Sequence, residues 1–163
     1  TLKPIDCAVD MTCGNGLDTL FLANIAKRVV AFDIQADAIQ TTANRLKELK
    51  ITHVTLIHES HENISRFVFE PVDVVIFNLG YRPGGNPQIR TTPRTTTLAI
   101  QSAIPLLKRH GKIILVLYPK NHDNEAEIIR SMCQSLPGNI VDCMEYRLLN
   151  KQDAPYIIEL IKQ

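Results

Sequence analysis

The chain has 163 residues, 45% hydrophobic and 21% charged, with a formal net charge of +1 at pH 7. That length suits one domain with a substantial core, and the composition is that of an ordinary globular protein. No apolar run is long enough to span a bilayer and no signal peptide is visible. The four cysteines (Cys7, Cys13, Cys133, Cys143) lack zinc-site spacing, so they read as free thiols in a reducing cytoplasm, with no metal expected.

Taken in chain order, apolar runs and helical patterns alternate. Strands are expected at Cys7–Met11, Val29–Asp33, Val54–His58, Val72–Asn78, Lys112–Tyr118, Ile140–Leu148 and Tyr156–Ile161. Helices are expected at Leu17–Ala26, Ala36–Leu49, Thr95–Leu107 and Asn124–Leu136, with a short helical turn at Asn63–Phe67. Asp123 and Thr95 read as N-caps, and Gly111 as the end of a helix. Val72 to Phe77 and Ile113 to Leu117 are nearly continuous and β-branched, as strands buried on both faces are. The last two strands lack a helical crossover and should pair as a hairpin. The expected fold is α/β: a doubly wound, Rossmann-like, mostly parallel seven-stranded sheet with an antiparallel C-terminal hairpin, forming one domain over residues 1–163.

The stretch Asp10-Met11-Thr12-Cys13-Gly14-Asn15-Gly16-Leu17-Asp18-Thr19, followed by Asp33 at the end of the next strand, reads as strand, glycine turn, helix, strand. Glycines allow a sharp turn and close approach of a ligand. The helix start offers unpaired N–H groups, and an acid closing the second strand can take ribose hydroxyls. NAD sites want a third glycine where Thr19 stands. S-adenosylmethionine (SAM) sites usually read acidic-x-G-x-G-x-G, and Asp10, Thr12, Gly14 and Gly16 match that spacing with Thr12 in place of the first glycine. Asp10 and Asp18 suit the methionine ammonium. Cys13 is read as filling of the loop.

No acidic residue lies between Asp73 and Asp123, an interval holding Arg82, Arg90, Arg94, Lys108, Arg109, Lys112 and Lys120. Lys108, Arg109 and Lys112 fit a helix C-terminus and a strand start. The other four sit in loops after strands, where an open α/β sheet places its ligands. The irregular stretch Leu79 to Arg94 is long enough to read as functional. Arg82, Arg90, Arg94 and Lys120 are therefore RNA-phosphate candidates, with Thr95 and Thr96 adding hydroxyls at a helix start.

Three segments carry a family resemblance: Asp10 to Ala23, Phe77-Asn78-Leu79-Gly80-Tyr81-Arg82-Pro83, and Thr95-Thr96. Together they resemble class I SAM-dependent methyltransferases and, more narrowly, the small bacterial family labelled rRNA methylases. The resemblance implies SAM as cofactor. It implies a tRNA substrate, engaged at the anticodon loop, whose wobble 5-aminomethyl-2-thiouridine is methylated on its amine; rRNA or a small amine is the alternative substrate. Asn78-Leu79-Gly80-Tyr81 resembles the Asn-Pro-Pro-Tyr of amino-group methyltransferases. It implies that Asn78 and the Leu79 carbonyl accept hydrogen bonds from the amine while Tyr81 stacks on the base.

In this fold the turn after the third strand borders the adenine, which implicates Ser60 and His61; His61 could instead take a proton, or with Asn63 merely shape the short helix. Gln35 is expected along the adenosine, with Asn15, Gly14 and Thr19 in the cofactor turn. The resemblance also implies a short helical segment before the first strand, which is expected to be missing ahead of Thr1. The apolar terminal strands either finish the sheet or serve a homodimer interface.

Overall fold

Strands whose side chains are apolar on both faces need cover on both, and alternating helices supply it. The structure is a computed structural model and describes residues 5–80, 84–86, 88–119 and 124–163. In chain order these form β1 (Ile5–Asp10), α1 (Leu17–Ala23), β2 (Ala26–Asp33), α2 (Ala36–Glu48), β3 (Val54–His58), a 3-10 turn (His61–Arg66) and β4 (Val72–Asn78). There follow α3 (Pro93–Ala103), a second 3-10 turn (Ile104–Leu106), β5 (Leu107–Leu117), α4 (Glu125–Gln134), β6 (Val141–Tyr146) and β7 (Tyr156–Lys162). The strand order is β3-β2-β1-β4-β5-β7-β6. All neighbours are parallel except β7, which runs antiparallel to both β5 and β6. The doubly wound sheet with a reversed terminal hairpin is the expected one.

One face of the sheet, with Val9, Phe32, Val75, Phe77, Ile113 and Leu115, packs with Ile100 of α3 and Ile129 of α4. On the other, Ala8, Val29 and Val74 pack with Leu22 and Ala23 of α1. Among the described residues no helix is long and apolar enough to cross a membrane.

Most element ends differ from expectation by one to five residues, and three of the differences have a clear physical cause. Helix α1 stops at Ala23 rather than Ala26, because Ala26 already pairs with Ile5 as the first residue of β2. Helix α3 is capped by Thr92, whose hydroxyl accepts the Thr95 N–H, so Thr95 lies inside the first turn. Strand β5 begins at Leu107, five residues early. Val72 pairs with Leu107 and Val74 with Lys112, so β5 carries extra residues in a bulge. His110 sits there at φ 64, and Gly111, far from ending a helix, lies where a Cβ would meet the Lys108 carbonyl at 2.8 Å. The three cations assigned to a helix end and a strand start all lie on this strand. Lys108 bonds Asp6 and Asp73, and Lys112 bonds Glu159.

Gly16 precedes α1 at φ 81, and a Cβ there would lie 2.7 Å from Thr42 Oγ1. Gly16→Ala should lower stability by about 2–4 kcal/mol, combining left-handed strain with overpacking. Adding Thr42→Ala should recover part of that loss in denaturant titrations. Full recovery would show that φ costs nothing there.

Candidate functional site

The helices that follow β1 and β4 in the chain, α1 and α3, cover opposite faces of the sheet, and a crevice opens beyond the C-terminal ends of the two strands. A cavity of about 580 Å³ occupies it, within the ordinary size for small-molecule sites. Its walls come from the turn after β1 (Thr12, Gly14, Asn15, Asp18), the ends of β2 and β3 (Asp33, Gln35, Ser60, His61) and the end of β4 (Asn78, Leu79, Gly80).

Asp10 is not in the wall. It is fully buried, and both oxygens are engaged: Oδ1 accepts the Thr12 N–H at 3.1 Å and Oδ2 the Thr19 hydroxyl at 2.6 Å. The expectation that Asp10 meets an ammonium, and that Thr19 contacts a cofactor, is corrected here. Both residues hold the turn together from beneath. Gly16 is likewise outside the wall, and its glycine serves the approach to Thr42. Cys13 fills space beside the Thr42 hydroxyl at 3.6 Å.

Asp33 closes β2. Its Oδ2 accepts the Gly14 N–H at 2.8 Å and its Oδ1 the Gln35 N–H at 2.9 Å, so two backbone donors fix the carboxylate at the cavity wall. Carboxylate oxygens carry further lone pairs, which leaves acceptor capacity toward the cavity. His61 is 8% exposed and opens the 3-10 turn. Its Nδ1 lies 3.1 Å from the Met11 carbonyl and must donate to it, which makes Nε2 the acceptor of a neutral ring. Burial pushes the His61 pKa down, so the ring is a poorer base than the sequence suggested. Nε2 is buried with no hydrogen-bond partner among the described residues, a lone pair waiting for a donor.

Asn78 ends β4. Its backbone N–H donates to Thr12 Oγ1 at 2.8 Å, its Nδ2 to Asp18 Oδ2 at 3.3 Å, and its Oδ1 accepts from the Tyr118 hydroxyl at 3.0 Å. The amide orientation follows from these partners, since a carboxylate only accepts and must face the NH2. Tyr118, just past β5, was not singled out from sequence. Its partner is forty positions away, and only the β4–β5 register brings them together. Thr91 and Asp153 also line the cavity and were missed.

Of the cationic candidates, Arg90 lines the cavity. Arg94 points elsewhere: its side chain is 79% exposed and lies 3.9 Å from Glu62. Thr95 Oγ1 bonds Thr92, and Thr96 is fully buried with its hydroxyl on Glu125 Oε1 at 2.8 Å. Thr96 therefore cannot reach a phosphate, which corrects that expectation. Tyr81, Arg82, Lys120 and the N-cap candidate Asp123 lie outside the described residues.

Burial, reinforced by the charges of Asp18 and Asp33, pushes the Asp10 carboxyl up to about 7 against the Thr19 and Thr12 hydrogen bonds. An acid raised in the fold binds its proton there before the unfolded chain does, so its deprotonation costs stability as pH climbs from about 4 to about 7. His61 acts in the opposite sense, losing stability as pH falls below about 6.5. The difference between variants isolates Asp10. Melting temperature of Asp10→Asn should gain on wild type as pH rises through that window, and a constant gap would mean Asp10 is ionised throughout.

Known proteins share this fold. The sequence model of the family described as "Putative rRNA methylase" matches residues 29–162. The chain is 34% identical over 175 residues to the chloroplastic tRNA (mnm(5)s(2)U34)-methyltransferase of Arabidopsis thaliana, covering 97% of this chain and spanning 64% of that relative's length. A crystal structure described as a putative rRNA-methylase from Clostridium thermocellum superimposes with TM-score 0.93 at 36% identity, over 97% of this chain and 89% of that one. A putative methyltransferase from Streptococcus mutans, solved in complex with SAH, matches with TM-score 0.91 at 34% identity, over 99% of this chain and 92% of that one. With the glycine turn, the acid-closed second strand and these matches together, the chain belongs to the putative rRNA methylase family.

Proposed function

We propose that this chain is a SAM-dependent RNA methyltransferase acting on an amine, with 5-aminomethyl-2-thiouridine at the tRNA wobble position as its substrate. The observation that carries the reading is the fixed Asn78 amide at one wall of a cavity whose other wall is the Asp33 carboxylate. The name of the Arabidopsis relative supports the nucleoside, and the Streptococcus mutans complex supports the cofactor.

The residues present fit SAM. Asp33 offers acceptors to ribose hydroxyls, His61 Nε2 offers a buried acceptor to an exocyclic amine, and Asp18 offers a carboxylate to the methionine ammonium. When bound, SAM supplies a methyl on a sulfonium, whose sulfur leaves uncharged with the bonding pair. The protein's task is then orientation of an unprotonated amine. Asn78 Oδ1 has a second lone pair beyond the one used by Tyr118, and it accepts one amine N–H. The Leu79 carbonyl accepts the other. With both N–H bonds held back, the nitrogen lone pair faces the methyl. The surplus proton of the product ammonium goes to water. Tyr81 stacks on the base, a contact worth about 1–3 kcal/mol. Arg82, Arg90 and Lys120 meet phosphates around the anticodon loop, whose splayed bases are reachable without melting a duplex.

The test uses full-length protein, SAM and tRNA carrying 5-aminomethyl-2-thiouridine. After digestion, that nucleoside should gain the mass of one methyl. Asn78→Ala should lower turnover about 100-fold or more with SAH affinity retained. Retained SAH binding without any gain by wild type would move the substrate to rRNA or a small amine. Tyr118→Phe should reduce kcat by about 5- to 10-fold, the worth of one ordinary hydrogen bond, with KM for SAM unchanged. An unchanged kcat would show that Asp18 alone orients Asn78.

A further inference from the structure

The second acceptor assigned above is a backbone carbonyl, and a carbonyl is only as well aimed as its peptide plane. The Leu79–Gly80 peptide is trans, so its C=O and N–H point in opposite directions. The N–H of that plane donates to Thr91 Oγ1 at 2.9 Å. The Thr91 hydroxyl in turn donates to Glu125 Oε2 at 2.7 Å, and the Thr91 N–H donates to the Gly80 carbonyl at 3.0 Å. Gly80 itself sits at φ 131, a conformation closed to most side chains, so the backbone has no local preference that would hold this plane.

Glu125 is 3% exposed at the start of α4, and its other oxygen accepts the Thr96 hydroxyl at 2.8 Å. A carboxylate only accepts, so both threonines must give it their protons. That leaves the Thr91 oxygen lone pair, and not its hydrogen, for the Gly80 N–H. Glu125 lies in the first turn of α4, the helix end that favours an acidic side chain.

We infer that Thr91 and Glu125 are positioning residues: acting through the Gly80 N–H, they aim the Leu79 carbonyl at the amine that is methylated. This rests on the amine-methylation reading above. The pair also ties the two ends of the substrate-side loop, Gly80 and Thr91, to α3 and α4. No conventional signal marks either residue in the sequence, since Glu125 looks like any first-turn acid and Thr91 like a loop threonine.

The experiment measures tRNA methylation kinetics, SAH affinity and melting temperature for wild type, Thr91→Val, Thr91→Ser and Glu125→Gln. Thr91→Val keeps the shape and removes the lone pair. It should lower kcat about 10-fold or more while SAH affinity stays within about twofold, and Thr91→Ser should stay near wild type. Glu125→Gln places an NH2 against one of the two hydroxyls and should lower kcat to a smaller extent, again at constant SAH affinity. If Thr91→Val fails to fold, Glu125→Gln decides: reduced kcat with SAH binding intact supports the inference, and wild-type kcat overturns it. Active wild type with unchanged Thr91→Val overturns the inference alone, as does a fall in SAH affinity that matches the fall in kcat. Wild type that binds SAH and leaves the amine unmethylated overturns the functional reading and this inference with it.

Discussion

One hydroxyl carries the pairing of β1 and β4 past the end of the sheet. Ladder bonds join the two strands from Ala8 and Val74 to Asp10 and Ile76, and the Met11 N–H still reaches the Ile76 carbonyl. Beyond that the chains must separate, because α1 packs on one face of the sheet and α3 on the other. There Thr12 Oγ1 accepts the Asn78 N–H at 2.8 Å and holds the two strand ends at a fixed distance. A glycine, the usual residue at this point of the motif, would lack that oxygen. The cofactor turn and the amine-side residues are thus parts of one frame.

Carboxylates divide the labour around that frame. Asp10 and Glu125 are buried and spend their lone pairs on the protein itself, one beneath the turn after β1 and one behind the loop after β4. Asp18 and Asp33 stand at the cavity wall with their backbone or amide donors behind them. Buried acids with saturated partners fix geometry, and partly exposed ones keep capacity for a ligand. The difference is invisible in the sequence, where all four are simply acids near strand or helix ends.

The sheet was legible because its signals are local. Val72–Phe77 and Ile113–Leu117 announce buried strands, the glycine turn announces the first crossover, and the missing helix before Tyr156 announces the hairpin. The start of β5 was not legible, because Leu107-Lys108-Arg109-His110-Gly111 reads as a polar helix end; Lys108 is tied to the sheet by Asp6 and Asp73, which lie far from it in the sequence. In the site, Asp33, Gln35, Ser60, His61 and Asn78 were placed in the crevice by their position after strands, and the structure lines the cavity with them. Asp10, Thr19 and Thr96 were misread because spacing reports which residues are near a turn and not which way they face. Tyr118, Thr91 and Glu125 were missed because their partners lie far along the chain.

The most direct measurement is a crystal structure with SAH and 5-aminomethyl-2-thiouridine bound together. The account predicts the ribose of SAH on Asp33 and the nucleoside amine within about 3 Å of both Asn78 Oδ1 and the Leu79 carbonyl, in line with the SAH sulfur. An amine seated away from Asn78, or SAH bound outside the crevice between β1 and β4, would contradict it.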